Sequence, residues 1–110
     1  MDSRRQQKVS QVIYQDLADI FQKEASSRFA GAFITVTVVR VTPDLSSAKV
    51  FLSIMGKDAQ EIMKLIVAQN KDIRKILAGR VRHQLRKVPE LIFKLDDSLD
   101  YYEKIDQLLK

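Results

Sequence analysis

The stretch Phe33-Ile34-Thr35-Val36-Thr37-Val38-Val39-Arg40-Val41-Thr42-Pro43-Asp44-Leu45-Ser46-Ser47-Ala48-Lys49-Val50-Phe51-Leu52-Ser53-Ile54 decides how the chain folds. Its first part, Phe33 to Thr42, is dense in Val, Ile, Phe and Thr, the composition of a strand, and the nearly unbroken apolar run predicts that both faces are at least partly covered. Thr42-Pro43-Asp44-Leu45 is a turn, because proline presets φ and an aspartate side chain bonds the backbone two residues on. Ala48, Val50, Leu52 and Ile54 then alternate with Ser47, Lys49, Phe51 and Ser53, the period of a half-buried strand. Two strands joined by so short a turn pair as an antiparallel hairpin. Phe33, Phe51 and the later Phe93 are read as packing residues rather than base-stacking platforms.

On the N-terminal side, Val9, Val12, Ile13, Leu17, Ile20 and Phe21 fall at the 3/4 spacing of an amphipathic helix over about Ser3 to Glu24. Ala25 to Ala32, with two serines and Gly31, reads as a loop. On the C-terminal side, Asp58 is the expected N-cap of a helix carrying Ile62, Met63, Ile66 and Val67. A third helix runs from about Asp72 to Arg86 with Ile73, Leu77, Val81 and Leu85 inward, closed by Pro89, which pushes its predecessor out of the helical region. Gln69-Asn70-Lys71 leaves open whether these two helices are broken, kinked or continuous. Leu91, Phe93 and Leu95 alternate with Ile92, Lys94 and Asp96 in a third strand. Asp97 or Ser98 is then the expected cap of a short final helix on which Tyr101 or Tyr102, Ile105, Leu108 and Leu109 face the body. The order α-β-β-α-α-β is that of an α+β domain, a three-stranded sheet with helices packed on one face.

A chain of 110 residues, 45% of them apolar, holds one domain, residues 1–110, and buries about 60–70% of its unfolded surface without staples. With no cysteine and one histidine, His83, disulfides, thiolate chemistry and a histidine metal cage are excluded. No apolar run approaches the ~20 residues of a membrane span, and Met1-Asp2-Ser3-Arg4-Arg5 is unlike a secretory start. The expectation is a cytoplasmic protein without cofactor, metal, small-molecule substrate or membrane partner. Ser46, Ser47 and Ser53 lack a histidine–acid partner set. Asp96 and Asp97 read as a strand end and a helix cap; the rival reading makes them the acids of an RNA-modifying or RNA-cleaving enzyme.

The charge of +5 is concentrated. Lys71, Arg74, Lys75, Arg80, Arg82, Arg86 and Lys87 against Asp72 give +6 between positions 71 and 87, and the remainder, 12 basic and 13 acidic residues, sums to −1. On a helical wheel Lys71, Lys75, Arg82 and Arg86 share a sector of about 60°, with Ala78 and Gly79 between them, so a sugar–phosphate backbone can approach the peptide chain there. Arginine forks suit phosphate oxygens and stack on bases. The bland alternative is a solvated face paired with the acidic tail. Within the segment there are too few acids for that, so the four cations are the expected main RNA contacts, Arg74, Arg80 and Lys87 marginal ones, and Arg4, Arg5 and Lys8 a second, weaker patch. His83 is a bystander beside them. A protein-interaction adaptor with an incidental basic face is the competing class.

The segment Arg86-Lys87-Val88-Pro89-Glu90-Leu91-Ile92-Phe93-Lys94-Leu95-Asp96-Asp97-Ser98 has the R-x-x-P-x-L-x-F-x-x-D-x-S pattern of the bacterial ribosome-binding factor A family, and Val41 to Ser53 resembles its V-S-x-D-L-x-x-A-K-V-Y-x-S hairpin. The arginine-bearing first helix and Ile73-Arg74 agree. The resemblance implies a KH-like domain of type II topology. It also implies a monomeric, non-enzymatic assembly factor that binds the free small (30S) ribosomal subunit and its 16S rRNA late in maturation, supports rRNA processing, and matters in the cold. KH domains clamp nucleotides with a GXXG loop, which is missing here; the family instead bends an Ala-x-Gly kink between two helices. Aligned on Ile73-Arg74, the kink position holds Gln69-Asn70-Lys71, while Ala78-Gly79 lies further along. The family's C-terminal extension has no counterpart up to Lys110.

Overall fold

The computed structural model describes residues 3–96. The final helix expected after Asp97 therefore lies outside the described residues. Helix α1 spans Arg4–Lys23 and opens with a capping box: the Gln6 amide donates to Ser3 Oγ at 3.1 Å, and the Ser3 amide donates back to Gln6 Oε1 at 2.9 Å. Gln6 is buried and its Nε2 donates to the Val41 carbonyl at 2.9 Å, so the helix start is tied to the hairpin without an orphaned polar group. Val9, Ile13, Leu17, Ile20 and Phe21 form the buried stripe.

The loop expected at positions 25–32 contains one helical turn, α2 (Ala25–Arg28). Phe29 is the cause. It is fully buried, packs its ring 5.4 Å from Phe21, and winds the preceding residues into a turn that closes with the Gly31 amide on the Ala25 carbonyl at 2.8 Å. Ala30 and Gly31 both take positive φ, 55° and 76°, to send the chain into the sheet.

Strands β1 (Phe33–Val41) and β2 (Ser47–Met55) form the antiparallel hairpin. Its register runs from Phe33 opposite Met55 to Val36 opposite Leu52, then resumes with Val38 opposite Phe51, leaving Thr37 as a bulge. The extra residue shifts the inward set from Ile34 and Val36 to Val39 and Val41. The apolar run at 33–42 is thus a phase change and not a strand covered on both sides. Among the described residues no helix packs on the outer face, where Phe33 stands 68% exposed and Phe51 half-buried; of the three phenylalanines expected to pack, Phe93 alone joins the core, edge-on to Phe21 at 5.9 Å.

Helix α3 (Ala59–Ala68) is capped by Asp58, whose Oδ1 accepts from the Gln60 and Glu61 amides. Helix α4 covers Asn70–Val81. It stops well before Arg86 and Pro89, because the chain must leave the helix to bring Leu85 and the buried Val88 onto the core; the Gln84 and Leu85 amides close that turn on the Val81 carbonyl. Strand β3 (Glu90–Leu95) pairs parallel to β2, from Ser47 opposite Glu90 to Leu52 opposite Leu95, giving the order β1-β2-β3. A parallel pair needs a long crossover, and α3 and α4 supply it on the same side as α1. Apart from short α2, this is the α-β-β-α-α-β KH-like order.

The hairpin turn bonds as its residue types require. The Leu45 amide donates to the Thr42 carbonyl at 2.9 Å, and Asp44 Oδ1 accepts from the Thr42 hydroxyl, the Ser46 hydroxyl and the Ser46 amide. These donors, the two hydroxyls foremost, lower the Asp44 carboxyl from 3.8 to about 2. A carboxyl depressed in the folded state adds stability that is complete above the unfolded value and is lost as the pH falls toward the folded one. The turn's contribution should therefore be intact above about pH 4 and drain away toward pH 2. Thermal melts of the unaltered chain and Asp44→Asn are expected to differ at pH 6 and to converge near pH 2; a gap independent of pH would contradict this.

Candidate nucleic-acid interface

Helices α3 and α4 meet at Gln69, which belongs to neither. Its amide donates to the Leu65 and Ile66 carbonyls and its carbonyl accepts from the Ile73 amide, so the hydrogen-bond path bends without being severed. The bend is held from outside. Gln69 Nε2 donates to the Arg28 carbonyl at 2.9 Å, Arg28 Nη1 donates to Gln69 Oε1 at 3.2 Å, and Asn70 Nδ2 donates to the Leu91 carbonyl at 2.9 Å. The kink thus falls at Gln69-Asn70-Lys71; Ala78 and Gly79 lie inside α4.

With Ile73, Leu77 and Val81 fully buried, α4 turns its opposite side outward along an open groove of about 1310 Å³. Lys71, Lys75, Ala78 and Arg82 line it from the helix and its end, and Arg86 and Lys87 line it from the following loop. The helix-wheel reasoning for Arg82 and Arg86 fails in its premise, since both lie beyond Val81, yet the coil returns them to the same groove. Gly79 does not line it, although a side chain there would meet nothing within 4 Å. Lys71, Lys75, Arg82, Arg86 and Lys87 are all exposed, and among the described residues none of them forms an ion pair. Asp72, the lone acid of the segment, points to Arg28 at 3.7 Å.

The two other arginines have different work. Arg74 lines the groove, but its Nη2 and Nε donate to the Val88 and Pro89 carbonyls at 2.6 and 3.2 Å, holding the segment that carries Arg86 and Lys87. Arg80 faces α1, with Nη2 2.6 Å from Asp19 and Nη1 3.4 Å from Asp16. The Arg80 bond, followed by Lys23, holds the Asp19 carboxyl below its ordinary value, and Asp19 in turn raises Arg80. Nothing in the linear sequence separates Arg80 from its neighbours except its position on the wheel, on the side shared with Ile73 and Leu77.

A second cleft of about 400 Å³ lies between the start of α1 and the loop after α4. Arg5 and Lys8 line it together with Arg86 and Lys87, so the two basic groups predicted separately share a border. Arg4 is exposed on the first turn of α1 and lines neither cleft; nor does His83, on the turn after α4. Sequence reasoning missed Val67, Ala68, Ser46 and Glu90, which complete the main groove from three other elements; only the folded chain brings them together. Asp96 ends β3 with its amide on the Leu52 carbonyl at 2.7 Å, and its Oδ2 accepts from Thr37 at 2.6 Å. Asp97 lies outside the described residues. Among those residues no helix is long and apolar enough to cross a membrane, and no group of three or more His, Cys, Asp or Glu is placed to hold a metal.

A family model described as ribosome-binding factor A matches residues 5–109. The chain belongs to the ribosome-binding factor A family. It is 49% identical over 110 residues to the ribosome-binding factor A of Cytophaga hutchinsonii, covering 99% of this chain and 83% of that protein. It is 44% identical to that of Chlorobaculum tepidum, covering 98% and 90%. Among solved structures, ribosome-binding factor A from Thermus thermophilus superposes with a TM-score of 0.68 at 21% identity, covering 82% of this chain and 94% of that one. A homology model of the Thermus thermophilus factor, fitted into a cryo-electron-microscopy map of a complex of 30S with ribosome-binding factor A, superposes with a TM-score of 0.63 at 23% identity, covering 78% and 89%.

The two arginines separate by experiment. Arg80→Ala should lower the melting temperature, less so at high salt, whereas Lys75→Ala should leave it nearly unchanged. Asn70→Ala, which strips the Leu91 carbonyl of its partner, should cost about 1 kcal/mol in urea denaturation. Equal melting losses for Arg80→Ala and Lys75→Ala would overturn the division of roles.

Proposed function

We propose that this chain is a ribosome assembly factor that binds the free small (30S) ribosomal subunit and its 16S rRNA during late maturation and supports rRNA processing. The observation that carries the reading is the groove along α4, where Lys71, Lys75, Arg82, Arg86 and Lys87 stand exposed with no ion pair among the described residues. Uncompensated cations in a row along a groove match a phosphate backbone, and the names of the relatives supply the ribosome. The mechanism is electrostatic docking on a folded RNA shape. Lys71, Lys75, Arg82 and Arg86 make the main phosphate contacts, Lys87 a marginal one, and Arg5 and Lys8 extend the track across the second cleft. Arg74 and Arg80 act as positioning residues for this surface. The protein works as a single-domain monomer in the cytoplasm, catalyses no reaction, and is needed most in the cold, when misfolded rRNA is slow to rearrange.

Cosedimentation with purified free small subunits tests the reading. Affinity should fall steeply as salt rises, and each of Lys71, Lys75, Arg82 and Arg86 changed to Gln should reduce the log–log salt slope by roughly one. Assembled ribosomes should not retain the protein. Binding that stays constant across salt, or that survives charge reversal at all four positions, would refute the assignment.

A further inference from the structure

The smaller cleft, between the start of α1 and the loop after α4, has a lining that a phosphate track alone does not account for. Arg5, Lys8, Arg86 and Lys87 surround it, all exposed and, among the described residues, in no ion pair. Among these cations stands one carboxylate, Asp44. A carboxylate only accepts hydrogen bonds and repels phosphate oxygens, so its place in the lining calls for a ligand group that donates. Its two oxygens are unequally used. The Thr42 hydroxyl, the Ser46 hydroxyl and the Ser46 amide all donate to Oδ1, at 2.7, 2.8 and 3.1 Å. Oδ2 takes none of these three bonds. The same donors lower the carboxyl to about 2, so the group is ionised at neutral pH. The rest of the lining includes an apolar floor: Val9 is buried, and Leu45 and Leu85 are half-buried against the core.

We infer that this cleft takes one unstacked guanine of a single-stranded RNA segment, its flat face on Val9, Leu45 and Leu85 and its N1–H and N2–H on Asp44 Oδ2. Guanine is the base whose Watson–Crick edge sets two donors side by side. Adenine, cytosine and uracil each place an acceptor beside the donor, and a carboxylate repels it. The remaining polar atoms of guanine, O6 and N7, are acceptors that Arg and Lys bond, and cations border the cleft from α1 and from the 86–87 loop. The cleft, about 400 Å³, is at the small end of ligand sites, which run from roughly 300 to 1,000 Å³, and suits one nucleotide rather than a stack. Leu85, Arg86 and Lys87 line the α4 groove as well, so a strand lying in that groove has this cleft beside it. The hairpin turn that carries Asp44 is at the end of the sheet where the Glu90 amide meets the Ser46 carbonyl; the described chain leaves β3 at the other end, where the Asp96 amide meets the Leu52 carbonyl. The inference rests on the RNA-binding reading for the class of polymer and adds to it a base preference at one position.

The test is fluorescence anisotropy with the full chain and RNAs of about nine nucleotides, uridine throughout except for a central guanosine, inosine, adenosine, cytidine or uridine. The guanosine RNA should bind about tenfold more tightly than the adenosine, cytidine and uridine RNAs. Inosine, which lacks the N2 amino group, should lose most of that gain. This series on the unaltered chain needs no variant to fold. Asp44→Asn keeps an oxygen for Thr42 and Ser46 and puts an NH2 donor where Oδ2 stood. In it the guanosine preference should vanish, with circular dichroism at the assay temperature showing the folded chain. Lys75→Gln should weaken all five RNAs alike and leave the preference unchanged. Equal affinities across the five RNAs, inosine binding as tightly as guanosine, or a preference intact in Asp44→Asn would overturn the inference. Steep salt dependence without base preference would refute it and leave the groove reading standing, whereas a guanosine preference in binding indifferent to salt would do the reverse.

Discussion

The amide side chain of Gln69 clasps Arg28 in both directions, donating to its carbonyl and accepting from its guanidinium, while Asn70 holds the Leu91 carbonyl. These bonds fix where the crossover between the parallel strands bends. The bend sends α3 against β2 and β3 and α4 against α1. Its direction sets which side of α4 packs inward, with Ile73, Leu77 and Val81 buried, and which side is left to the solvent. The groove is what remains outside once that packing is complete.

Charge follows the same logic. The protein carries its cations in two populations that look alike in sequence and differ in environment. Arg28, Arg74 and Arg80 are partly sheltered and donate to carboxylates or carbonyls, so they hold α2, the 88–89 segment and α1 in place. Lys71, Lys75, Arg82, Arg86 and Lys87 extend into water. Surface ion pairs of the first kind each stabilise little; Asp16 and Asp19 pair with Arg80, whereas Asp72, though 3.7 Å from Arg28, still lines the groove together with Glu90. The groove is positive because its cations outnumber the two acids that line it.

Much of this was legible in the linear chain, for reasons that can be named. Period and capping identified α1, the hairpin turn, Asp58 and β3, because those signals are local. The end of α4 was not legible: Leu85 continues the helical spacing, and only the need to bring Val88 inward with it stops the helix at Val81. The turn α2 was hidden because it is imposed by Phe29 reaching Phe21. The parallel pairing of β3 is a property of topology. For the site, the cluster at 71–87 was visible as composition, whereas the removal of Arg80 to α1 and the contribution of Ser46 and Glu90 depend on contacts between elements distant in sequence. The outward stance of Phe33 follows from the register, which sets it on the face away from α1, α3 and α4.

The bulge at Thr37 also shapes the edge of the sheet. Strand β1 is an edge strand, and an edge beside an apolar face invites the same strand of another copy to extend the sheet. One unmatched residue breaks the spacing of the free amides and carbonyls along that edge, so a straight neighbour can follow it over only part of its length. Thr37 also binds its hydroxyl to the Phe51 carbonyl and to Asp96, which keeps the irregularity in one place. The kink in the pleat makes this edge, beside exposed phenylalanine and methionine, a poor template for a second copy of the same strand.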